Sequence, residues 1–288
     1  MIAIFSNTLS RYRGSILGWG IVLGLYSVIL VGLYNSVLEM RPTLQAALEN
    51  YPPELIAFIG DIPSLFTPSG FLNTYVFSYM ALFLGIFAVL TGSGILAGDE
   101  ESGILDLLIS HPITRTRLFW GRSLGFIAAT ALILAIMWMG SVLAAPRTAM
   151  EVTFGQLASP HVSIFALLLL FGAMTTFLSM VLPSRKLAAS AAGLILVASF
   201  MATMIVKVNP DLEVLNKISP FGYYQGGFAI DGLNWTWVAG LLASALIFEL
   251  GAWLLFLRRD IRIAGERGWQ IPQIRFWWKS RNQEPKAV

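Results

Sequence analysis

Charge is what this sequence has least of. Charged residues make up 12% of the chain against 56% apolar ones, and the net charge is +3. Soluble domains carry about twice that charged fraction, so the balance excludes an ordinary globular protein and points to an integral membrane protein. So small and unevenly spread a charge gives no electrostatic footprint for nucleic acid. Cysteine is absent, which excludes disulfides, thiolate nucleophiles and thiolate metal sites. The two histidines, His111 and His161, fall by hydropathy in loops on opposite sides of the bilayer. No shared metal site and no histidine-based membrane enzyme is expected from them. The glycines around Gly24 and at Gly92-Ser93-Gly94 are not followed by the Gly-Lys-Ser/Thr of a phosphate-binding loop. Any nucleotide hydrolysis must then occur in another polypeptide, and no cofactor is expected in this one.

What the chain does have is six long apolar runs. No charge occurs between Arg13 and Glu39, so residues 16–38 exceed the roughly 20 apolar residues that cross a hydrocarbon core. Arg11 and Arg13 ahead of this run imitate a secretory signal, but the run is too long and lacks a small-residue cleavage site, so it reads as a retained first span. Gly14, Gly18, Gly20 and Gly24 give it two small-xxx-small spacings at which another helix could approach. A loop with five prolines follows, and Leu55, Ile56 and Ile59 in it have the spacing of a short surface helix. Further spans are read at 72–96, 118–143, 162–182, 187–206 and 235–257. The expected architecture is all-α: a six-span membrane domain over 1–257 and a basic tail over 258–288. With six spans both termini share one side. Fifteen of the 19 lysines and arginines would lie there, and only Arg41, Arg147, Lys207 and Lys217 opposite. The positive-inside rule therefore makes both termini cytoplasmic.

One polar island interrupts the pattern, from Gly98 to Arg122. Asp99, Glu100 and Glu101 stand where a helix would start, a position that stabilises negative side chains. Ile104, Leu105, Leu108 and Ile109 recur at helical spacing and form one apolar stripe. Pro112 disfavours helical geometry at His111 and stops the run. Thr114 can cap a new helix carrying Arg115 and Arg117 in its first turn. These features describe a short amphipathic helix lying on the membrane surface. By themselves they fit a docking handle or a loop held by lipid head groups.

The island also carries a resemblance. Gly98-Asp99-Glu100-Glu101-Ser102-Gly103-Ile104-Leu105-Asp106-Leu107-Leu108-Ile109-Ser110-His111-Pro112-Ile113-Thr114-Arg115 resembles the cytoplasmic signature of ATP-binding cassette (ABC) transporter permeases of the type 2 exporter branch. In that family the segment contains the coupling helix, which docks on the ATPase. The resemblance implies an acidic turn at Glu100 and Glu101, a turn glycine at Gly103, a docking stripe at Leu105 and Leu108, and a terminator at Pro112 and Arg115. Ile104 stands where the family often has threonine. The resemblance further implies a non-catalytic permease subunit of the cytoplasmic (inner) membrane. Its partners would be two copies of a cytoplasmic ABC ATPase and a second permease, identical or similar.

Two further places bear on function. In the loop 207–234, Pro220, Gly222, Gly226 and Gly227 break regular helix while Phe221, Tyr223, Tyr224 and Phe228 suit the membrane interface. This is an aromatic anchor of an ordinary loop or, by the same resemblance, an outer gate at Pro220, Phe221, Tyr223 and Tyr224. Glu249 is read as the one ionisable residue deep in a span, where a carboxylate must face the bundle interior or water, be protonated, or find a partner. It could contact a substrate cation or serve packing. The tail, with Arg275, Trp277, Trp278, Lys279 and Arg281, suits anionic membrane lipids. Two readings from other classes stay open beside ATP-driven export: a proton-coupled secondary transporter using Glu249, and a membrane scaffold whose handle recruits a protein without transport.

Overall fold

The computed structural model describes residues 1–48, 62–101 and 113–258. These are predominantly helical and include no strand. The calls at Leu55, Ile56 and Ile59 and in the tail beyond Arg258 lie outside them. Helix α1 (Ile2–Gly32) is continued by a short helix Tyr34–Glu39. It starts well before the apolar run, so Arg11 and Arg13 lie on the same rod as the first span.

The second crossing, expected over 72–96, begins at Pro68 and is bent. Helical turns at Pro68–Phe71 and a π-helical segment at Leu72–Phe77 lead into α2 (Met80–Gly94), bent by 42°. Within the π segment Ser78 N–H donates to Asn73 O at 2.8 Å, a five-residue spacing that adds one residue to the turn. Two tyrosine hydroxyls donate to carbonyls at this break: Tyr26 to Tyr75 O at 2.6 Å and Tyr224 to Phe77 O at 3.1 Å. Backbone groups freed inside a membrane need such partners, because hydrocarbon offers none.

Helix α3 (Arg115–Ala144) starts where expected: Thr114 Oγ1 accepts from Arg117 N at 3.3 Å. Helix α4 (Phe154–Val181) starts at Phe154, earlier than the expected 162, because Thr153 and Gln156 form a reciprocal capping box. The correction reaches His161. It is not in a loop but buried in α4, with Nδ1 2.8 Å from Leu157 O and its ring edge-on to Phe77. Ser184 caps α5 (Arg185–Val208), and α6 (Trp235–Arg258) completes the bundle. Among the described residues, five unbroken helices are long and apolar enough to cross a membrane, and the bent pair makes six.

Helix α4 is the most buried of the five and packs against α2, α5 and α6. Helices α1 and α3 form the other tight pair. A Cβ on Gly140 of α3 would run into the Gly24 carbonyl of α1, and one on Gly20 would strike Ile136. The Gly20–Gly24 spacing is thus spent within the chain, whereas among the described residues Gly14 and Gly18 have no neighbour within 4 Å of an added Cβ. Helix α5 leaves Leu194, Val197, Met201 and Ile205 exposed along its outer side.

Candidate functional site

The polar island begins with a short helix, Ala97–Glu101, that carries Asp99 and Glu100 in its first turn. Asp99 points inward between two arginines. Its Oδ1 accepts from Arg11 Nη1 and Nη2 at 3.1 and 3.2 Å, and its Oδ2 is ion-paired with Arg122 Nη2. Arg122 Nη1 also donates to Ile95 O at 3.3 Å, just before that helix. Exposure separates the two pairs: the Asp99 side chain is 2% exposed and Arg122 7%, but Arg11 is 48% exposed. One carboxylate thereby joins α1, α3 and the root of the connection between spans two and three. Beside this knot lies a cleft of about 450 Å³ lined by Arg11, Tyr12, Trp19, Asp99, Arg122 and Arg185. Arg185, at the start of α5, reaches across it to Ser93 Oγ at 3.3 Å and Leu90 O at 3.4 Å of α2.

On the far side of the connection, Arg115 Nη1 donates to Phe256 O and Leu257 O at 3.4 and 3.3 Å. Those carbonyls belong to the last turn of α6, where a cation is favoured by the helix dipole. The two ends of the island are therefore fastened to different helices, the first to α1 and α3 and the second to α6.

At the other end of the bundle, the loop before α6 folds back onto the bend of span two. Phe221 is buried, with its ring 5.9 Å from Phe171 and 5.6 Å from Phe200. Ser219 Oγ donates to Ser199 O at 3.0 Å, Gln225 N to Ser163 Oγ at 3.0 Å, and Gly227 N to Asn73 Oδ1 at 3.2 Å. Gly226 takes a positive φ of 52°, and a Cβ on Gly227 would overlap the Asn73 backbone, so this close approach requires glycine. Burial pushes the Tyr224 hydroxyl pKa up, which keeps it a donor to Phe77 O. Tyr223 stays at the surface, edge-on to Trp237, and donates to Lys217 O at 2.8 Å.

Comparison with known proteins decides what bundle this is. A family model described as ABC-2 family transporter protein matches residues 15–261. The chain belongs to the ABC-2 transporter family. It is also 25% identical over 201 residues to YhcI of Bacillus subtilis (strain 168), a protein called uncharacterized; the match spans 62% of this chain and 64% of that one.

Within this ABC-2 chain the structure places Glu100 in the short helix at the root of the connection and Arg115 at the start of α3. The backbone of Glu101 ends that short helix, while Gly103, Leu105, Leu108 and Pro112 lie outside the described residues. Phe221 and Tyr224 come together, their rings 6.3 Å apart, with Pro220 opening the turn that carries them. Glu249 lies apart from both regions, on the side of α6 facing α3 and α4. Sequence reasoning missed the Asp99 knot. It treated Asp99 as one of three surface acids and Glu249 as the lone intramembrane charge, yet Arg122 sits within the apolar run that starts at Leu118. A buried arginine needs an acid, and Asp99 was the available signal.

Proposed function

We propose that this chain is the membrane-spanning permease subunit of an ATP-driven ABC exporter in the cytoplasmic membrane, with both termini in the cytoplasm. ATP hydrolysis belongs to two separate ATPase subunits, and a second permease, identical or similar, completes the pathway. The observation that carries this reading is the Asp99 knot at the root of the connection. Force applied to the segment 100–112 passes through Asp99 to Arg122 on α3 and Arg11 on α1. Those helices touch backbone to backbone at Gly24 and Gly140, so they tilt as one body. In this scheme Glu100, Glu101, Gly103, Leu105, Leu108 and Pro112 meet the ATPase, and Arg115 ties the end of the segment to α6. Phe221, packed against Phe171 and Phe200, and Tyr224, bonded to the bend of span two, form the outer gate together with Pro220 and Tyr223.

Purification of the tagged full-length chain in mild detergent tests the reading. A cassette ATPase should co-purify with the wild type and be lost on Leu105→Asp, with an unchanged elution profile. Recovery of a stable chain without any ATPase would remove the proposal's basis. Transport that persists without ATP and disappears in Glu249→Gln would point instead to proton coupling.

A further inference from the structure

An apolar cavity of about 170 Å³, open on one side, lies between α3, α4 and α6, with polar atoms at one corner. Trp120, Ser123 and Phe126 line it from α3, Ala173 from α4, and Ala245 and Glu249 from α6. Glu249 Oε1 and Ser123 Oγ are both sealed from solvent, and among the described residues no group completes a well-formed hydrogen bond to either. The Ser123 hydroxyl lies near enough to the Glu249 carboxylate to interact with it. Among the described residues, no lysine, arginine or histidine lines the cavity to offset the acid.

This combination specifies a ligand. A carboxylate at membrane depth is retained where something meets it. The missing partner must bring N–H or O–H donors to two neighbouring oxygens, and its remainder must be apolar. Water would serve the polar corner only, and an apolar space of this size, comparable to cavities of roughly 150 Å³ that accept benzene, suits a single ring. One aromatic ring bearing a short aminoalkyl arm matches both the size and the chemistry. A primary amine has three donors when protonated, enough for Glu249 and Ser123 together, and the indole of Trp120 is suited to a cation. We propose that this cavity binds a small hydrophobic primary amine, its nitrogen between Glu249 and Ser123 and its apolar body against Trp120 and Phe126. The site does not depend on the export reading, because it is a binding equilibrium of the permease itself.

The test is equilibrium binding of radiolabelled phenethylamine to the full-length chain, with whatever subunits it retains, in phosphatidylcholine nanodiscs. Binding should be saturable, weaken by about 10-fold or more in Glu249→Gln, and weaken by a few-fold in Ser123→Ala, as loss of a charge-assisted and a neutral hydrogen bond respectively would give. Ala173→Leu fills the cavity while leaving the carboxylate in place and should abolish binding, so the proposal stays testable should Glu249→Gln fail to fold. Ethylbenzene, which lacks the nitrogen, should compete weakly and equally in wild type and Glu249→Gln. Repeating the assay with phosphatidylethanolamine in the disc identifies the source: displacement of the label assigns the site to a lipid amine, and no displacement to a free one. No saturable binding to the folded wild type, or equal affinity in wild type and Glu249→Gln, overturns the proposal.

Discussion

Removing the Arg122 guanidinium would leave Asp99 charged and buried, with Arg11 as its remaining arginine partner. Breaking one side of a buried pair costs about 3–5 kcal/mol, whereas a half-exposed pair contributes roughly 0–1 kcal/mol. Arg122→Ala should therefore strongly lower the unfolding midpoint in detergent, and Arg11→Ala should barely move it. Equal effects would mean that the two pairs do not differ in burial as described. Tyr224→Phe removes the donor to Phe77 O and leaves that carbonyl short of a partner at the break. A cost of about 1–3 kcal/mol is expected, read as easier proteolysis of the loop before α6. At this scale legibility was uneven. Thr114 as a cap could be read directly, because the side chain acts on its own helix. The pairing of Asp99 with Arg11 is separated by 88 residues, and periodicity carries no information about which distant side chains meet.

At the scale of elements, the spans were legible because roughly 20 consecutive apolar residues leave few alternatives to a membrane helix. Their ends and bends were less so. The start of α4 depends on the Thr153–Gln156 box, a local signal that hydropathy alone does not register. The bend in span two depends on tyrosines from elsewhere, Tyr26 on α1 and Tyr224 in the last loop. Without them a straight helix is the simplest expectation. Small residues gave a spacing but not a partner. Gly20 and Gly24 meet α3, while a Cβ added at Gly14 or Gly18 meets nothing within 4 Å among the described residues. Gly140→Val should push α1 and α3 apart and destabilise the fold by about 1–3 kcal/mol or more, as overpacking does. Gly14→Ala should be neutral or gain up to about 1 kcal/mol from helix propensity. Thermal unfolding of both variants in the same detergent checks the contrast, and loss of stability in Gly14→Ala alone would invert the assignment of faces.

For the whole molecule, the distribution of lysine and arginine and the family match together support a permease with its island in the cytoplasm. The bundle has two polar ends. At one, Asp99 binds the connection to α1 and α3 and Arg115 binds it to α6; at the other, the Phe221–Tyr224 turn is clamped onto the bend of span two. Movement of α1 and α3 would reach that bend through the Tyr26 hydroxyl, which donates from α1 to Tyr75 O. The absence of cysteine makes the central claim directly testable, since a single engineered thiol would be unique in the chain. Leu105→Cys, carrying a short photo-crosslinker and irradiated in native membranes, measures what the island touches. The account predicts an adduct with an ABC ATPase at this position and none from Thr148→Cys at the opposite end of α3. Adducts with lipid alone at position 105, or the same protein captured from both positions, would contradict it.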